Sequence, residues 1–409
     1  METVAHFARR PITRRHFTSG LLATALLAGR RIATADEVAA PKTPPDGKWR
    51  LAIIGHTGEG DYGHGLDVAF KDLANLEIVG VADPDASGRG KAAEQSGAKR
   101  QYADYRELLE KEKPQLVCLA SRWTHERHAA AMAALRGGAH LFTEKPFTTT
   151  LAEADEILAL AERTGAKIAV AHQMRLAPSV QALQKAIAEG LLGDLLEMNA
   201  WGKQDSRAGG EDMLVLGSHL FDLMRLFAGD AVWCTARVLQ GGRDITRADA
   251  RRVKEQIGPV AGDEVSAQFA FARGVIGSFT SRARLQQQIG HWGLELVGSK
   301  TSVRLLADVY PAIQVLRPGK WEAAGRTDQW QPLESDPGPK LTAEERGFGP
   351  ANRRVVEDWL NAINANRQPI CSGRNAMKSI EMIMAVYQAA LAGGRVPFPL
   401  KDRQHPLIG

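Results

Sequence analysis

The residues from 51 to 65 constrain the fold of this chain more than any other stretch. An apolar run with β-branched residues ends at Ile54, and five glycines follow it: Gly55, Gly58, Gly60, Gly63 and Gly65. Residues 65–75 then carry apolar side chains at helical spacing. The order strand, glycine turn, helix is typical of dinucleotide-binding units, because glycines let the backbone and a helix N-terminus approach a pyrophosphate. We therefore expect the amino-terminal half of the fold to be built on this turn.

The glycine turn departs from the usual fingerprint in two ways. A G-x-G-x-x-G pattern fits Gly58, Gly60 and Gly63, although the predicted strand ends before Gly55. Glu59 and Asp61 also bring negative charge near the expected phosphates. A glycine-rich turn without a ligand is the alternative interpretation.

A second predicted strand, 76–82, ends at Asp83, a residue suited to holding a ribose 2′-hydroxyl. Asp83 lies 28 residues after Gly55, whereas about 20 is usual, as if the turn carried an insertion. Arg89 and Lys91 could accommodate a 2′-phosphate, but Asp83 would repel it. The sequence therefore favours NAD and leaves NADP possible.

The amino terminus has the pattern of a twin-arginine export signal. Arg14 and Arg15 precede an apolar stretch at 20–29 that is too short to span a bilayer, and residues 33–35 form an A-x-A cleavage site. A disordered basic tail is the alternative. We expect a signal peptide at 1–35, a linker at 36–48, the twin-arginine export machinery as a partner and a periplasmic location.

Charge and cysteine usage exclude several classes of function. Six arginines and the single acid Glu2 within residues 1–35 account for the whole net charge of +5, so the mature chain is near neutral. No nucleic-acid partner is therefore expected. The three cysteines, Cys118, Cys234 and Cys371, have no metal-ligand spacing, so no metal is expected. We expect no membrane-spanning segment in the mature chain.

Residues 49–173 alternate between strands and helices, which predicts a doubly wound parallel sheet. The predicted strands are 50–55, 76–82, 115–120, 139–143 and 167–171. The predicted helices are 65–75, 104–112, 125–136 and 151–164.

Residues 174–409 change to strands that follow strands, which favours a large, mostly antiparallel sheet in a second α/β domain for substrate binding and oligomerisation. The predicted strands are 195–203, 232–240, 264–272, 275–284, 292–306 and 312–317. Helices are predicted at 350–366 and 373–392, and an irregular surface loop at 318–349. If the outer face of the sheet is apolar, a homo-oligomer is expected.

The triplet Glu144-Lys145-Pro146 lies at the carboxyl end of a predicted parallel strand. Ligands bind at that edge of such sheets, so Lys145 can reach a cofactor or substrate. A solvated lysine at a strand end is the alternative. The bond before Pro146 could be cis, although trans is more common.

The chain resembles the glucose–fructose oxidoreductase and inositol dehydrogenase (Gfo/Idh/MocA) family. The features that carry the resemblance are the glycine turn, Asp83, the triplet 144–146, and the segments 118–125, 171–175 and 209–223. The resemblance implies a nicotinamide-binding Rossmann domain, a second domain with an open sheet, and hydride transfer between the cofactor and a sugar-like hydroxyl.

The resemblance also implies the roles of individual residues. Lys145 and His219 would be catalytic, with Lys145 on the reacting hydroxyl and His219 as the general base. Arg175, His219 and Asp222 would contact the substrate, although a salt bridge at the domain junction is an equal alternative for Arg175. The expected cofactor-binding residues are Gly55, His56, Gly58, Gly60, Asp83, Trp123, His125, Glu144 and Lys145.

One departure from the family puts turnover in doubt. Many members carry an acid four residues before the histidine, and Val215 stands there in this chain. Asp212 and Glu211 are too far along the chain to replace it by alignment. Three interpretations remain open: an exported oxidoreductase of a sugar, sugar acid or cyclitol with tightly bound cofactor, an NAD-dependent glycosidase that oxidises its substrate transiently, and a non-catalytic binding protein.

Overall fold

The computed structural model describes residues 44, 47–283, 292–319, 321–322 and 325–408. All of them belong to one unit that begins at residue 38. The predicted signal peptide and most of the predicted linker lie outside the described residues.

The amino-terminal half forms a six-stranded sheet in which every strand pair is parallel. The strands are β1 (Trp49–Ile54), β2 (Leu76–Ala82), β3 (Gln101–Tyr102), β4 (Leu116–Leu119), β5 (His140–Thr143) and β6 (Ile168–Val170). Their order, β3-β2-β1-β4-β5-β6, reverses between β1 and β4. In open sheets of this kind, ligands bind at that reversal, beyond the carboxyl ends of the strands. The predicted doubly wound parallel sheet is confirmed.

Four helices connect these strands: α1 (Ala86–Ser96), α2 (Tyr105–Glu112), α3 (Arg127–Arg136) and α4 (Leu151–Thr164). Helix α4 begins with a reciprocal capping box between Thr150 and Glu153 and ends at Gly165, which has a left-handed conformation. The prediction missed α1, because Gly88 and Gly90 interrupt its apolar pattern.

The prediction of a helix over 65–75 is wrong. Residues 62–72 form successive turns instead. Gly63, Gly65 and Asp72 have φ values of 63°, 80° and 60°, which an α-helix does not accommodate. The apolar spacing is still used, because Leu66 and Phe70 are fully buried.

Helix α8 (Phe348–Asn364) covers the surface where the first crossover helix was expected. Val355, Val356 and Trp359 of this helix share an apolar core with Leu66 and Phe70. A hydrogen bond adds to this packing: the side-chain amide of the buried Asn352 donates to the carbonyl of His64 at 2.9 Å. The carboxyl-terminal part of the chain thus supports the glycine turn.

The second half contains a ten-stranded sheet with the path β19-β16-β15-β14-β7-β13-β12-β8-β20, and β9 pairs with β8. Of its described pairings only β13 with β7 is parallel. The strands are β7 (Leu195–Trp201), β8 (Ala231–Gln240), β9 (Arg243–Asp244), β12 (Glu264–Phe271), β13 (Ile276–Arg282), β14 (Trp292–Gly298), β15 (Ser302–Ala307), β16 (Ala312–Arg317), β19 (Gln329–Pro332) and β20 (Val396–Pro397). The predicted large, mostly antiparallel sheet is confirmed.

Two details of this half differ from the prediction. The single strand expected at 292–306 is a hairpin of β14 and β15, because the chain turns at 299–301. The expected irregular loop at 318–349 includes β19, which extends the edge of the sheet. Four further two-residue strands pair locally: β10 (Arg251–Arg252) with β11 (Pro259–Val260), and β17 (Trp321–Glu322) with β18 (Gly325–Arg326).

The helices of the second half are α5 (Pro178–Ala188), α6 (Gly210–Val215), α7 (Gly217–Ala228), α8 and α9 (Gly373–Ala392). Helices α6 and α7 are nearly continuous and carry Val215, His219 and Asp222 to the junction with the parallel sheet. No described helix is long and apolar enough to cross a membrane.

The less buried face of the large sheet is crossed by a row of polar side chains. Register places Gln268, Ser278, Asn199, Glu295 and Arg304 side by side on five neighbouring strands. Ser278 donates to Asn199 at 2.7 Å, and Arg304 pairs with Glu295 at 2.9 Å. The homo-oligomer was predicted on the condition that the outer face of the sheet is apolar. This row is polar, so the condition is not met along it, and the oligomer stays a prediction.

Candidate functional site

The glycine turn folds back on itself and closes against the loop after β4. His56 and Asp61 form an antiparallel bridge across the turn. The carbonyl of Gly60 then accepts a hydrogen bond from the backbone N–H of Arg122 at 3.1 Å. A Cβ at Gly60 would lie 2.5 Å from the Trp123 nitrogen, and Gly60 has a φ of +89°. Close approach therefore requires glycine here.

Glu144 secures the far side of the turn. Its carboxylate is fully buried and accepts hydrogen bonds from the backbone of His64 at 3.2 Å and of Lys145 at 2.9 Å. A Cβ at Gly63 would lie 2.5 Å from the same carboxylate. Glu144 thus joins the glycine turn to the strand end that carries Lys145.

Asp83 lies at the end of β2, as predicted, and its carboxylate is fully buried. It accepts hydrogen bonds from the backbone N–H of Thr57 at 3.1 Å, the Thr57 hydroxyl at 2.6 Å and the N–H of Asp85 at 2.9 Å. A ribose hydroxyl would exchange with one of these donors.

A crevice runs along the carboxyl ends of β1, β2 and β4, at the reversal of strand order. It consists of two adjoining cavities of about 260 and 40 Å³ that share Gly55, His56 and Glu126. Asp83 lines one end, and Trp123 and His125 line the other. The acid after β2 suits a ribose hydroxyl of a dinucleotide, and Trp123 offers an aromatic ring at the other end of the crevice. Lys145 and His219 line neither of the two cavities.

Two contacts between a histidine and a glutamate lie beside the crevice. His56 lies 3.0 Å from Glu126, and His125 lies 3.1 Å from Glu59. The side chains of Glu126, His125 and Glu59 are about half exposed, at 56%, 47% and 40%. Such pairs contribute about 0–1 kcal/mol each, so they can separate at little cost when a ligand enters.

Lys145 is buried at the end of β5, where the peptide bond to Pro146 is cis. Its Nζ donates a hydrogen bond of 3.0 Å to the carbonyl of Val215. Burial lowers the pKa of Lys145, while Glu144 and Glu255 act against that shift. The position of the missing family acid is therefore still joined to Lys145, through a backbone carbonyl.

His219 lies one helical turn after Val215 and is also buried. Its ring centroid is 5.4 Å from that of His172 and 6.2 Å from that of Trp292. Burial first, and then the charge of Lys145, hold the pKa of His219 well below its usual 6.5. The imidazole is therefore neutral near pH 7 and can accept a proton.

Arg175 and Asp222 form a buried ion pair at the junction. The Arg175 guanidinium donates to the Asp222 carboxylate at 2.6 Å and to its carbonyl at 3.0 Å. Burial alone would raise the pKa of Asp222, but Arg175 and then His172 hold it well below its usual range. The arrangement matches the alternative of a salt bridge at the junction, and substrate contacts by Arg175 or Asp222 remain predictions.

Sequence reasoning did not assign a role to His172, beside this pair, or to Arg122, in the loop after β4. His172 lies 3.5 Å from Asp222 through its Nδ1. Arg122, which replaces part of the family's proline-containing tripeptide, has a buried Nε with no hydrogen-bond partner among the described residues. The changed tripeptide was the sequence signal for Arg122. For His172 the only signal was its position just after the last parallel strand.

Asp212 does not replace the missing acid. Its carboxylate is fully buried and accepts hydrogen bonds from Ser281 at 2.6 Å and from the backbone of Gln204 at 3.0 Å. It holds a loop of the second domain. Within the described ranges, no cluster of three His, Cys, Asp or Glu side chains could bind a metal, and all three cysteines are buried and unpaired.

Two family models match this architecture in succession. The model described as "Oxidoreductase family, NAD-binding Rossmann fold" covers residues 49–172, and "Oxidoreductase family, C-terminal alpha/beta domain" covers 186–398. The chain therefore belongs to the Gfo/Idh/MocA family of oxidoreductases. Its Rossmann domain is of the NAD-binding type.

Individual relatives are distant. A D-apiose dehydrogenase of Paraburkholderia graminis is 23% identical over 83% of this chain and 88% of its own length. A levoglucosan dehydrogenase of Pseudarthrobacter phenanthrenivorans is 24% identical over 56% of this chain and 64% of its own length. The solved structure of a levoglucosan dehydrogenase with NADH and L-sorbose aligns with a TM-score of 0.70 at 20% identity, over 86% of this chain and 99% of that one.

Proposed function

We propose that this protein is an exported NAD-dependent oxidoreductase with tightly bound cofactor that oxidises a hydroxyl of a sugar, sugar acid or cyclitol. The observation that carries the proposal is the arrangement of Lys145 and His219. Both side chains are buried beside the carboxyl edge of the NAD-binding sheet, and the Lys145 Nζ is bonded to the carbonyl four residues before His219.

The chemistry divides between these two side chains. The Lys145 ammonium binds the reacting hydroxyl and stabilises negative charge on its oxygen. The neutral imidazole of His219 accepts the hydroxyl proton. NAD, when bound, accepts the hydride from the same carbon. Gly55, His56, Asp83, Trp123 and His125 line the crevice and would hold the cofactor there. Gly58, Gly60 and Glu144 would act on the cofactor through the shape of the turn beside it.

Arg122 favours a substrate that carries an acidic group. Its guanidinium has no ion-pair partner among the described side chains, and its Nε is buried. After burial, its charge is one of the influences that lower the pKa of Lys145 and of His64. Arg122 as a whole is half-buried, and a substrate carboxylate next to the reacting hydroxyl would supply an ion-pair partner for its guanidinium.

The relatives support a sugar as the substrate. Those named above are dehydrogenases of apiose and of levoglucosan. Because their identity to this chain is low, no particular substrate can be transferred from them. Their named substrates support a polyhydroxylated compound as the substrate of this chain.

Export is proposed from the amino terminus alone. The twin arginines Arg14 and Arg15, the apolar stretch and the A-x-A site support the twin-arginine route and a periplasmic location. We expect the double substitution Arg14→Lys and Arg15→Lys to retain the protein in the cytoplasm. Normal export of that variant, measured by cell fractionation, would contradict the proposal.

One relative supports a second candidate function, an NAD-dependent glycosidase. A glycosyl hydrolase family 109 protein of Shewanella pealeana is 28% identical over 46% of this chain and 45% of its own length. In such chemistry the sugar is oxidised and re-reduced in one turnover. The third candidate, a non-catalytic binding protein, rests on Val215 in place of the family acid.

Product analysis distinguishes the three candidates. The mature protein, with NAD⁺, is given a panel of sugars, sugar acids, cyclitols and their glycosides. Accumulation of NADH with an oxidised product supports the proposal, and release of an aglycone without net NADH supports the glycosidase. A panel with no turnover at all, while NAD stays bound, contradicts both enzymes and favours the binding protein.

A further inference from the structure

Two ring nitrogens at the domain junction are buried and lack partners among the described residues. They are Nε2 of His172 and Nδ1 of His219. The two rings are neighbours, with centroids 5.4 Å apart and planes inclined at 62°. Buried polar atoms are nearly always hydrogen-bonded, so two orphan atoms on adjacent rings need an explanation.

The other nitrogen of His172 determines what its Nε2 can do. His172 Nδ1 faces a carboxylate oxygen of Asp222 at 3.5 Å, and Arg175 binds the second oxygen of Asp222 at 2.6 Å. This contact is too long for a good hydrogen bond, and the Asp222 oxygen has no hydrogen-bond partner among the described residues. A lone pair on Nδ1 would face the carboxylate charge, so the proton is favoured on the Nδ1 of His172. The Nε2 of a neutral His172 is therefore an acceptor.

An acceptor beside His219 selects its tautomer. The Nδ1 of His219 becomes the protonated nitrogen, because it can then donate to His172, and the Nε2 is left without a proton. The hydrogen bond between the two rings is not formed in the structure. It requires a rotation of the His219 ring about χ2, which is a soft torsion, while His172 keeps its contact with Asp222.

We propose that His172 is a positioning residue for the general base: held by Asp222, it fixes His219 in the tautomer whose Nε2 accepts the substrate proton. This role rests on the proposed function and takes the place of the family acid that is missing at Val215. In the reaction, the C–H electron pair leaves as hydride to NAD⁺, the O–H proton moves to His219 Nε2, and the C=O double bond forms. His219 Nδ1–H then donates to His172 throughout.

The role predicts how substitutions of His172 behave. We expect His172→Leu to lower kcat by about 10-fold to 100-fold, because general-base catalysis contributes about 10²–10⁴-fold and part of it is retained. KM for substrate and affinity for NAD should change less than about threefold. His172→Gln, whose amide can reach the Nε2 position and accept a hydrogen bond, should retain most of the activity. His128→Leu, at a partly exposed position of α3 that pairs with Glu156, is the control and should leave kcat unchanged.

The pH dependence of kcat/KM distinguishes a positioning role of His172 from a purely structural one, because a loss of packing alone would not change the pKa of His219. The groups around His219 are Lys145, His172, Asp222 and His64. His172 acts on the pKa of His219 in two opposite ways, because its charge lowers that pKa and its acceptor nitrogen would raise it. His172→Leu removes both effects and His172→Gln removes only the charge, so the acid limb of kcat/KM should lie about one unit lower in His172→Leu than in His172→Gln. The same acid limb in both variants, with an unchanged kcat in a folded His172→Leu protein, would overturn the proposal.

A spectroscopic measurement keeps the test valid if His172→Leu does not fold. Imidazole ¹⁵N chemical shifts of histidine-labelled wild type, assigned by difference against His219→Asn, report the tautomer of His219 directly. A proton on Nδ1 supports the proposal, and a proton on Nε2 overturns it. Because this measurement needs no substrate, it decides the role of His172 even where the wild type is inactive, an outcome that would count against the proposed function alone.

Discussion

In the nucleotide crevice the buried carboxylates accept hydrogen bonds from the chain itself, whereas at the domain junction two buried imidazole nitrogens are unpartnered. Asp83 accepts hydrogen bonds from Thr57 and Asp85, and Glu144 accepts them from His64 and Lys145. The crevice residues thus fix the shape of the glycine turn before any ligand binds. At the junction, the two imidazole nitrogens have no hydrogen-bond partner among the described residues. We therefore place the proton transfer at the junction.

The largest expected effect is on the buried ion pair between Arg175 and Asp222 at the junction. We expect Arg175→Met to lower the free energy of unfolding by about 3–5 kcal/mol, because it leaves the buried Asp222 carboxylate without its guanidinium. Urea denaturation measures this loss. Arg237→Met, which removes an exposed partner of Asp244, is the control and should leave the stability almost unchanged.

The pH dependence of that loss has a definite sign. The pKa of Asp222 is held below its unfolded value of about 3.9, so the ion pair contributes fully above that pH and less as the pH falls further. In Arg175→Met, burial acts on Asp222 without the guanidinium, so the variant regains stability as the pH falls toward 3.9, and the wild type loses its own contribution below that pH. The stability difference should therefore be largest near neutral pH and shrink as the pH falls. An unchanged stability with a raised KM would instead favour substrate binding by Arg175.

The catalytic side of the comparison is sharpened by removing either functional group. We expect Lys145→Ala and His219→Ala each to lower turnover by about 10² or more, while NAD remains bound. Lys185→Ala, at a lysine whose side chain is 78% exposed on α5, is the matched control. Full activity in either single variant would remove that residue from the mechanism.

The crevice side is tested by filling the space that a glycine leaves. In Gly60→Ala, a Cβ would overlap the Trp123 and Arg122 backbone nitrogens at a φ of +89°. We expect a loss of about 1–3 kcal/mol in stability and weaker NAD binding by isothermal calorimetry. Gly90→Ala meets no atom within 4 Å and should instead stabilise helix α1 by up to about 1 kcal/mol. Equal effects of the two substitutions would mean that the turn is not closed in solution.

The smallest expected effect concerns the acids beside the crevice. Glu59→Gln removes a negative charge that lies 3.1 Å from His125. We expect a few-fold tighter binding of NAD at low ionic strength and a smaller gain in physiological salt, because screening weakens interactions between exposed charges. Weaker binding of NAD to this variant would show that Glu59 supports the bound cofactor.

The parallel sheet, the change to an antiparallel sheet and the position of Lys145 at a strand end could be predicted from the sequence. Each depends on which residues of a short segment are buried, and the spacing of apolar residues in that segment indicates this. The prediction failed at 65–75, where the apolar spacing suits a helix but the left-handed residues Gly63, Gly65 and Asp72 prevent one. Helix α8 packs there instead, and no local pattern could indicate a partner nearly 300 residues away.

The candidate site was predictable only in part for the same reason. The position of His219 followed from a motif, but its neighbour His172 is brought to it by the packing of the 3-10 turn Gln173–Leu176 against α7. Likewise, the hydrogen bond from Lys145 to the Val215 carbonyl uses a backbone atom that no side-chain pattern reveals.

The measurement that tests the account most directly is the nucleotide content of the mature protein. The chain, expressed without residues 1–35, is purified and denatured, and the supernatant is analysed by mass spectrometry for nicotinamide dinucleotides. The account predicts about one NAD per chain, bound in the crevice between β1 and β4. No released nucleotide, together with no binding of added NAD⁺ or NADH, would contradict the claim that this crevice and the junction beside it form one oxidoreductase site.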